Sequence, residues 1–139
     1  MVHPLNRVPD FSEPFPIQRI ATPEMAERLA KTTKSRIRRL EELIEGKKFR
    51  SYMAADGDRI IGWATSITVG EHTWVQGMFV TPAYRRRGIG KAILARLLRD
   101  DIAHGSRASV LTASHAGAML YPHVGFEPIG KLLLYTPRK

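Results

Sequence analysis

Cysteine is absent from all 139 residues, which removes disulfides, thiol nucleophiles and thiolate metal sites together. The five histidines show neither H-x-x-x-H nor H-E-x-x-H spacing, so no structural or catalytic metal is expected. No apolar run approaches the roughly 20 residues of a membrane span, and the stretch behind Met1 lacks a signal-peptide core. A cytoplasmic protein with no membrane partner is therefore expected. Acidic residues are also scarce, 13 Asp and Glu against 22 Lys and Arg, leaving a net charge of +9. The excess is clustered, because residues 31–50 hold eight Lys or Arg and three Glu. Such a segment is ordinarily a solvated helix face, and its sharper meaning is attraction of an anionic or carboxylate-bearing partner. The chain has no recognisable nucleic-acid reading module and no basic patch interleaved with aromatics, so no nucleic-acid partner is expected.

The length suits a single domain able to bury one core, and no internal repeat divides it. Residues 1–14 fall in a proline-rich stretch without hydrophobic period and read as an arm, loose unless it docks. The folded domain then spans 15–139. Phe15 to Ile20 suits a short strand. Thr22-Pro23 is an N-cap followed by proline at the first helical position, ahead of an apolar stripe at Met25, Ala26, Leu29 and Ala30. Ile37, Leu40 and Ile44 repeat at helical spacing until Gly46. Phe49–Ala55 and Arg59–Val69 alternate as strands around Asp56-Gly57-Asp58, a hairpin signal, and a further strand covers about His72 to Thr81. Ile89, Ile93 and Leu97 begin a helix with a wide apolar face that ends at His104-Gly105. Ala108 to Ala113 suits a buried strand parallel to its predecessor, and Phe126 to Thr136 reads as one or two more.

The chemistry concentrates where the third long strand breaks. Pro82 ends its ladder, Gly88 and Gly90 leave main-chain N–H groups unshielded, and a helix opens immediately after. A helix start carries unpaired donors and about half a positive charge, so a phosphate is favoured there before any side chain acts. Arg85, Arg86, Arg87 and Lys91 surround that turn with cations, and the arginine forks match phosphate oxygens. The spacing is neither of two common nucleotide loops. Gly90-Lys91 is followed by Ala92 where a Walker loop needs Ser or Thr, and position 93 is Ile where a dinucleotide loop needs Gly.

The run Val80-Thr81-Pro82-Ala83-Tyr84-Arg85-Arg86-Arg87-Gly88-Ile89-Gly90 resembles the acetyl-CoA-binding motif of the GNAT superfamily of N-acetyltransferases. A second block, Leu120-Tyr121-Pro122-His123-Val124-Gly125-Phe126-Glu127, is similar to the superfamily's later L-Y-x-x-x-G-F element. Together they cover about Thr73 to Glu127. The resemblance implies an α/β fold, a mixed central sheet flanked by helices and splayed between its fourth and fifth strands. It implies acetyl-CoA as cosubstrate, lying in that gap with the main chain of Met78, Phe79 and Val80 beside its pantetheine arm. Its phosphates would rest on residues 85–91, with Ile89 and Gly90 at the start of the helix.

The same resemblance implies acetyl transfer to a primary amine of a small molecule or peptide by direct attack on the thioester. A non-catalytic CoA-binding sensor or interaction module of the same fold is the alternative. Tyr121 matches the position that often protonates the leaving thiolate. Its ordinary pKa near 10 suits the role, although a core tyrosine with a satisfied hydroxyl is the plainer meaning. Ser114 stands where many relatives carry an asparagine on the cofactor, and Pro122 interrupts the helix behind Tyr121. Glu71 and His72, and less directly His115 and His123, are the side chains able to serve as base or relay. The sequence leaves monomer and homodimer equally open.

Overall fold

The computed structural model describes residues 2–5, 8, 13–34, 40–111 and 124–126. In chain order the elements are β1 (Val2–His3), β2 (Ile17–Arg19), α1 (Pro23–Thr33), α2 (Leu40–Glu45), β3 (Phe49–Asp56), β4 (Arg59–Val69) and β5 (His72–Val80). A 3-10 turn (Pro82–Tyr84), α3 (Ile89–Ala103) and β6 (Ala108–Val110) follow. Among the described residues six strands make one mixed sheet in the order β1-β6-β5-β4-β3-β2, antiparallel throughout except between β5 and β6, and the strands expected over Phe126 to Thr136 lie outside the described residues from residue 127 on. This is the expected α/β architecture with one strand added at the start, so the expected fourth strand is β5 and its parallel neighbour β6.

Local chemistry accounts for the helices. Thr22 Oγ1 accepts the Met25 N–H at 3.2 Å, and Pro23 occupies a position whose N–H would have no helical partner. The sheet then separates two apolar layers. On one face Tyr52, Ala54, Ile61 and Val75 meet Ile93, Leu94 and Leu97 of α3. On the other Ile20, Met53 and Ile60 meet Ala26, with Leu29, Leu40 and Trp63 packed around them. Register sets the rows of that second face: Met53, Trp63 and Phe79 lie side by side, then Ser51, Thr65 and Gln76, then Phe49, Ile67 and Trp74.

A buried polar network fastens α3 to the sheet. Arg50 and Asp101 pair with both side chains fully shielded, and Ser66 Oγ and Thr73 Oγ1 each donate to the Asp101 carboxylate at 2.8 Å. Arg50 Nη1 also donates to the carbonyls of Gly46 and Lys47 at 3.1 and 3.0 Å. Beside this pair, Tyr52 donates its hydroxyl to Asp100 Oδ2 at 2.7 Å. Burial, and secondarily that hydrogen bond to a carboxylate, push the Tyr52 phenol well above its ordinary range.

The described start of the arm is docked on the sheet. Val2 pairs with Val110 and His3 with Ser109, covering the outer edge of β6. His3 is buried, its Nδ1 accepts the Leu5 N–H at 3.0 Å, and Nε2 is left to donate to the Val124 carbonyl at 3.0 Å. Its ring also meets Phe126 edge-on at 5.2 Å. Residues 2–5 thus dock, because an imidazole satisfied on both nitrogens and a buried Leu5 outweigh the freedom of a short arm.

Candidate functional site

β5 and β6 run together only briefly. Their parallel pairing covers His72 with Ala108, Thr73 with Ser109 and Trp74 with Val110. Past Trp74 no described residue pairs with β5 on that side. The cause lies in β5 itself, which holds one residue more than β4 between the pairs Gln76–Thr65 and Phe79–Trp63. Gly77 takes up the surplus at φ +67, a left-handed conformation that a side chain would resist. A bulge of this kind bends and over-twists its strand, which favours divergence of the end of β5 from β6.

The main chain bordering that gap can be oriented from the ladder. Thr81 N–H donates to the Ile61 carbonyl at 2.8 Å, and Val80 and Phe79 sit opposite Gly62 and Trp63. Because antiparallel pairs alternate, the amide groups of Phe79 face β4 and those of Val80 face the gap. The Val80 carbonyl is engaged there by Arg85, whose Nε donates to it at 2.8 Å while the guanidinium lies 5.2 Å from the Phe79 ring centroid. Met78 and Val80 both turn half-buried side chains to the α3 layer.

Beyond Thr81 the chain forms the glycine-bearing turn. Tyr84 N–H and Arg85 N–H close the 3-10 turn on Thr81 and Pro82, and the first helical bond of α3 runs from Ala92 N–H to Gly88 O. Between these, no acceptor among the described residues reaches the N–H groups of Arg86, Arg87, Gly88, Ile89 or Gly90. Arg86 at φ +64 and Gly88 at φ +80 both adopt left-handed backbone, so the donors curl into a concavity at the positive end of a 15-residue helix. Arg85, Arg86 and Arg87 are exposed around it, Ile89 is anchored in the core, and Lys91 occupies the first helical turn. Tyr84 braces the turn, donating to Asp56 Oδ2 at 2.8 Å and lying under the Arg87 guanidinium at 5.3 Å. Five main-chain donors without acceptors among the described residues, three exposed arginines and a helix start fit a pyrophosphate group.

The structure therefore brings together residues 78–91 and separates Glu71 and His72 from them. At about 3.4 Å per residue, His72 lies about 27 Å from Val80 along β5. Glu71 is on the surface with Arg107 at 3.5 Å. Ser114, His115, Tyr121 and His123 lie outside the described residues. Sequence reading missed Gly77, whose only signal was a lone glycine inside a strand pattern, and Trp63 and Tyr84, which carried none. Among the described residues no group of three or more acidic or histidine side chains could hold a metal ion. None of the described helices is long and apolar enough to cross a membrane.

Comparison with known proteins agrees with this geometry. A relative from Mycobacterium leprae, itself uncharacterised, is 35% identical over 89 residues, which cover 60% of this chain and 24% of that protein. The chain thus spans about a quarter of the length of that relative. The solved structure of aminoglycoside N-acetyltransferase AAC(6')-Iy with CoA superposes with a TM-score of 0.72 at 21% identity, covering 89% of this chain and 100% of that one. An aminoglycoside acetyltransferase from an uncultured soil metagenomic sample, in complex with sisomicin, gives 0.66 at 16% identity, covering 90% and 97%. At such identities the two structures establish the fold alone. The family model for the acetyltransferase (GNAT) domain matches residues 47–128, from the start of β3 through the second sequence block. Strand, bulge, donor-rich turn and helix fall in that match, and the chain belongs to the GNAT acetyltransferase family.

Proposed function

We propose that this protein binds acetyl-CoA and transfers its acetyl group to a primary amine. The observation that carries the reading is the turn from Arg86 to Gly90, five adjacent donors without acceptors among the described residues, placed at the end of a strand edge that no described residue pairs past Trp74. The turn and the arginines hold the phosphates. Val80 offers outward-facing main-chain groups to the pantetheine amides, once Arg85 releases its carbonyl, in the manner of an added strand, and Met78 joins it across the bulge. Bound acetyl-CoA supplies a thioester whose C–S bond is exchanged for a C–N bond to the amine, with release of CoA.

The chain's own residues hold and move protons around that exchange. Tyr121 donates its phenolic proton to the departing sulfur, and Ser114 contributes a hydroxyl hydrogen bond to the cosubstrate. Glu71 and His72 stand at the start of β5, towards the far end of the cosubstrate from its phosphates, and either they or a water relay take the proton of the amine. Titration calorimetry with acetyl-CoA tests the first half of the reading. A micromolar Kd, worth about 8 kcal/mol, is expected, and no heat at millimolar ligand would remove it. Release of free CoA thiol on addition of amines tests the second half and separates an enzyme from a binding module.

A further inference from the structure

Arg86 stands at φ +64, in left-handed backbone that a residue other than glycine keeps only where its surroundings hold it. No main-chain hydrogen bond between described residues secures it, since the helical ladder resumes only at Ala92 N–H. The holding falls to the side chains on either side. Arg85 donates to the Val80 carbonyl at 2.8 Å and lies 5.2 Å from the Phe79 ring, which itself stacks on Trp63 at 4.9 Å. Arg87 lies 5.3 Å from the Tyr84 ring. The left-handed residue is thus flanked by two arginines, each resting on an aromatic ring.

The two rings are fixed differently. Trp63 and Phe79 belong to paired strands of the sheet, whereas Tyr84 lies on a three-residue 3-10 turn outside it. What fixes Tyr84 comes from remote parts of the chain: Phe15 meets its ring edge-on at 5.6 Å, and Asp56 Oδ2 accepts its hydroxyl at 2.8 Å. Asp56 ends β3 at the hairpin tip, 28 residues before Tyr84 in the chain. On charge alone, a carboxylate that reaches this turn weakens its hold on phosphate, so its use there points to geometry rather than field. We infer that Asp56 and Tyr84 are a positioning pair for acetyl-CoA. The carboxylate holds the phenol, the ring holds Arg87, and the main-chain donors from Arg86 to Gly90 keep their aim. The inference rests on the cosubstrate half of the acetyl-transfer reading. It goes beyond that reading in assigning part of the turn's affinity to a side chain on a separate hairpin, acting through Tyr84.

Charge and geometry predict opposite signs, so calorimetry of the full chain with acetyl-CoA separates them. Tyr84→Phe keeps the ring contacts and loses only the hydroxyl bond, and should raise Kd about fivefold. Asp56→Ala should raise it by a similar factor, against the tightening that removal of a negative charge alone would give. Asp56→Asn should restore native affinity or better, because its amide oxygen still accepts the phenol while the charge is gone. The double variant of Tyr84→Phe with Asp56→Ala should bind no worse than either single one, since both break the same bond. Urea unfolding fixes the folded fraction of each variant, and Kd is compared after that correction. An unchanged Kd for Tyr84→Phe, an unchanged or tighter one for Asp56→Ala, an Asp56→Asn as weak as Asp56→Ala, or multiplying losses in the double variant overturns the inference. If the native chain binds no acetyl-CoA, the cosubstrate reading falls and the pair's role with it, a failure distinct from native binding with indifferent variants.

Discussion

Replacing Gly88 with alanine isolates what the main chain of the turn does, because Gly105 supplies a matched control at the other end of α3. The two glycines sit at φ +80 and +83, and a Cβ added to either meets no heavy atom within 4 Å. Packing therefore contributes nothing to either substitution, and each costs only the left-handed backbone, about 1–2 kcal/mol. Denaturant unfolding should show the same loss for Gly88→Ala and Gly105→Ala. Acetyl-CoA affinity should divide them. The methyl group at Gly88 stands among the unpaired donors and strains the conformation that aims them, so its Kd should rise tenfold or more, about 1.4 kcal/mol. Gly105→Ala should stay within about twofold, being remote from the turn. If calorimetry gives the two variants equal affinity, the donor-rich turn is not where the phosphates bind.

Other consequences follow from neighbouring features. Asp101→Asn leaves the Arg50 guanidinium buried without a counter-charge, and unfolding by urea should report a loss of about 3–5 kcal/mol. His3→Ala removes two hydrogen bonds and an aromatic contact at the β1–β6 edge, lowering stability by about 3 kcal/mol in the same assay. Because the folded-state pKa of Tyr52 is raised, its contribution is complete below the ordinary phenol value of about 10 and is lost as pH climbs beyond it. Stability measured against pH should fall above about 10 in the native chain and fall less in Tyr52→Phe. Under the proposed role of its phenol as proton donor to the departing sulfur, Tyr121→Phe should lower turnover of an accepted amine while leaving acetyl-CoA affinity within about twofold.

The parts of the fold that could be read in the sequence are those fixed by neighbours in the chain. Thr22-Pro23 caps α1, Asp56-Gly57-Asp58 joins β3 to β4, and the run from Val80 to Gly90 becomes a strand end, a turn and a helix start, all from local conformational rules. Long-range pairing was hidden. Nothing in the composition of Val2-His3 marks a strand, because two residues carry no period, and only the unsatisfied edge of β6 calls them into the sheet. Likewise Arg50 and Asp101 read as surface charges until β3 and α3 are brought face to face. The bulge at Gly77 escaped notice because an isolated glycine weakens a strand pattern without saying which way the strand will turn. Of the candidate site, the glycine-bearing turn was legible and the placing of Trp63 beside Phe79 was not, since the latter depends on a register that skips one residue between β4 and β5.

The pairing of Val2 with Val110 bears on how the molecule comes into being. As the chain is synthesised, Val2-His3 has no strand to lie against until β6 has been made. The central hairpins and α3 can form as they appear, while the β1–β6 seam waits for the later-arriving partner, so it closes after them.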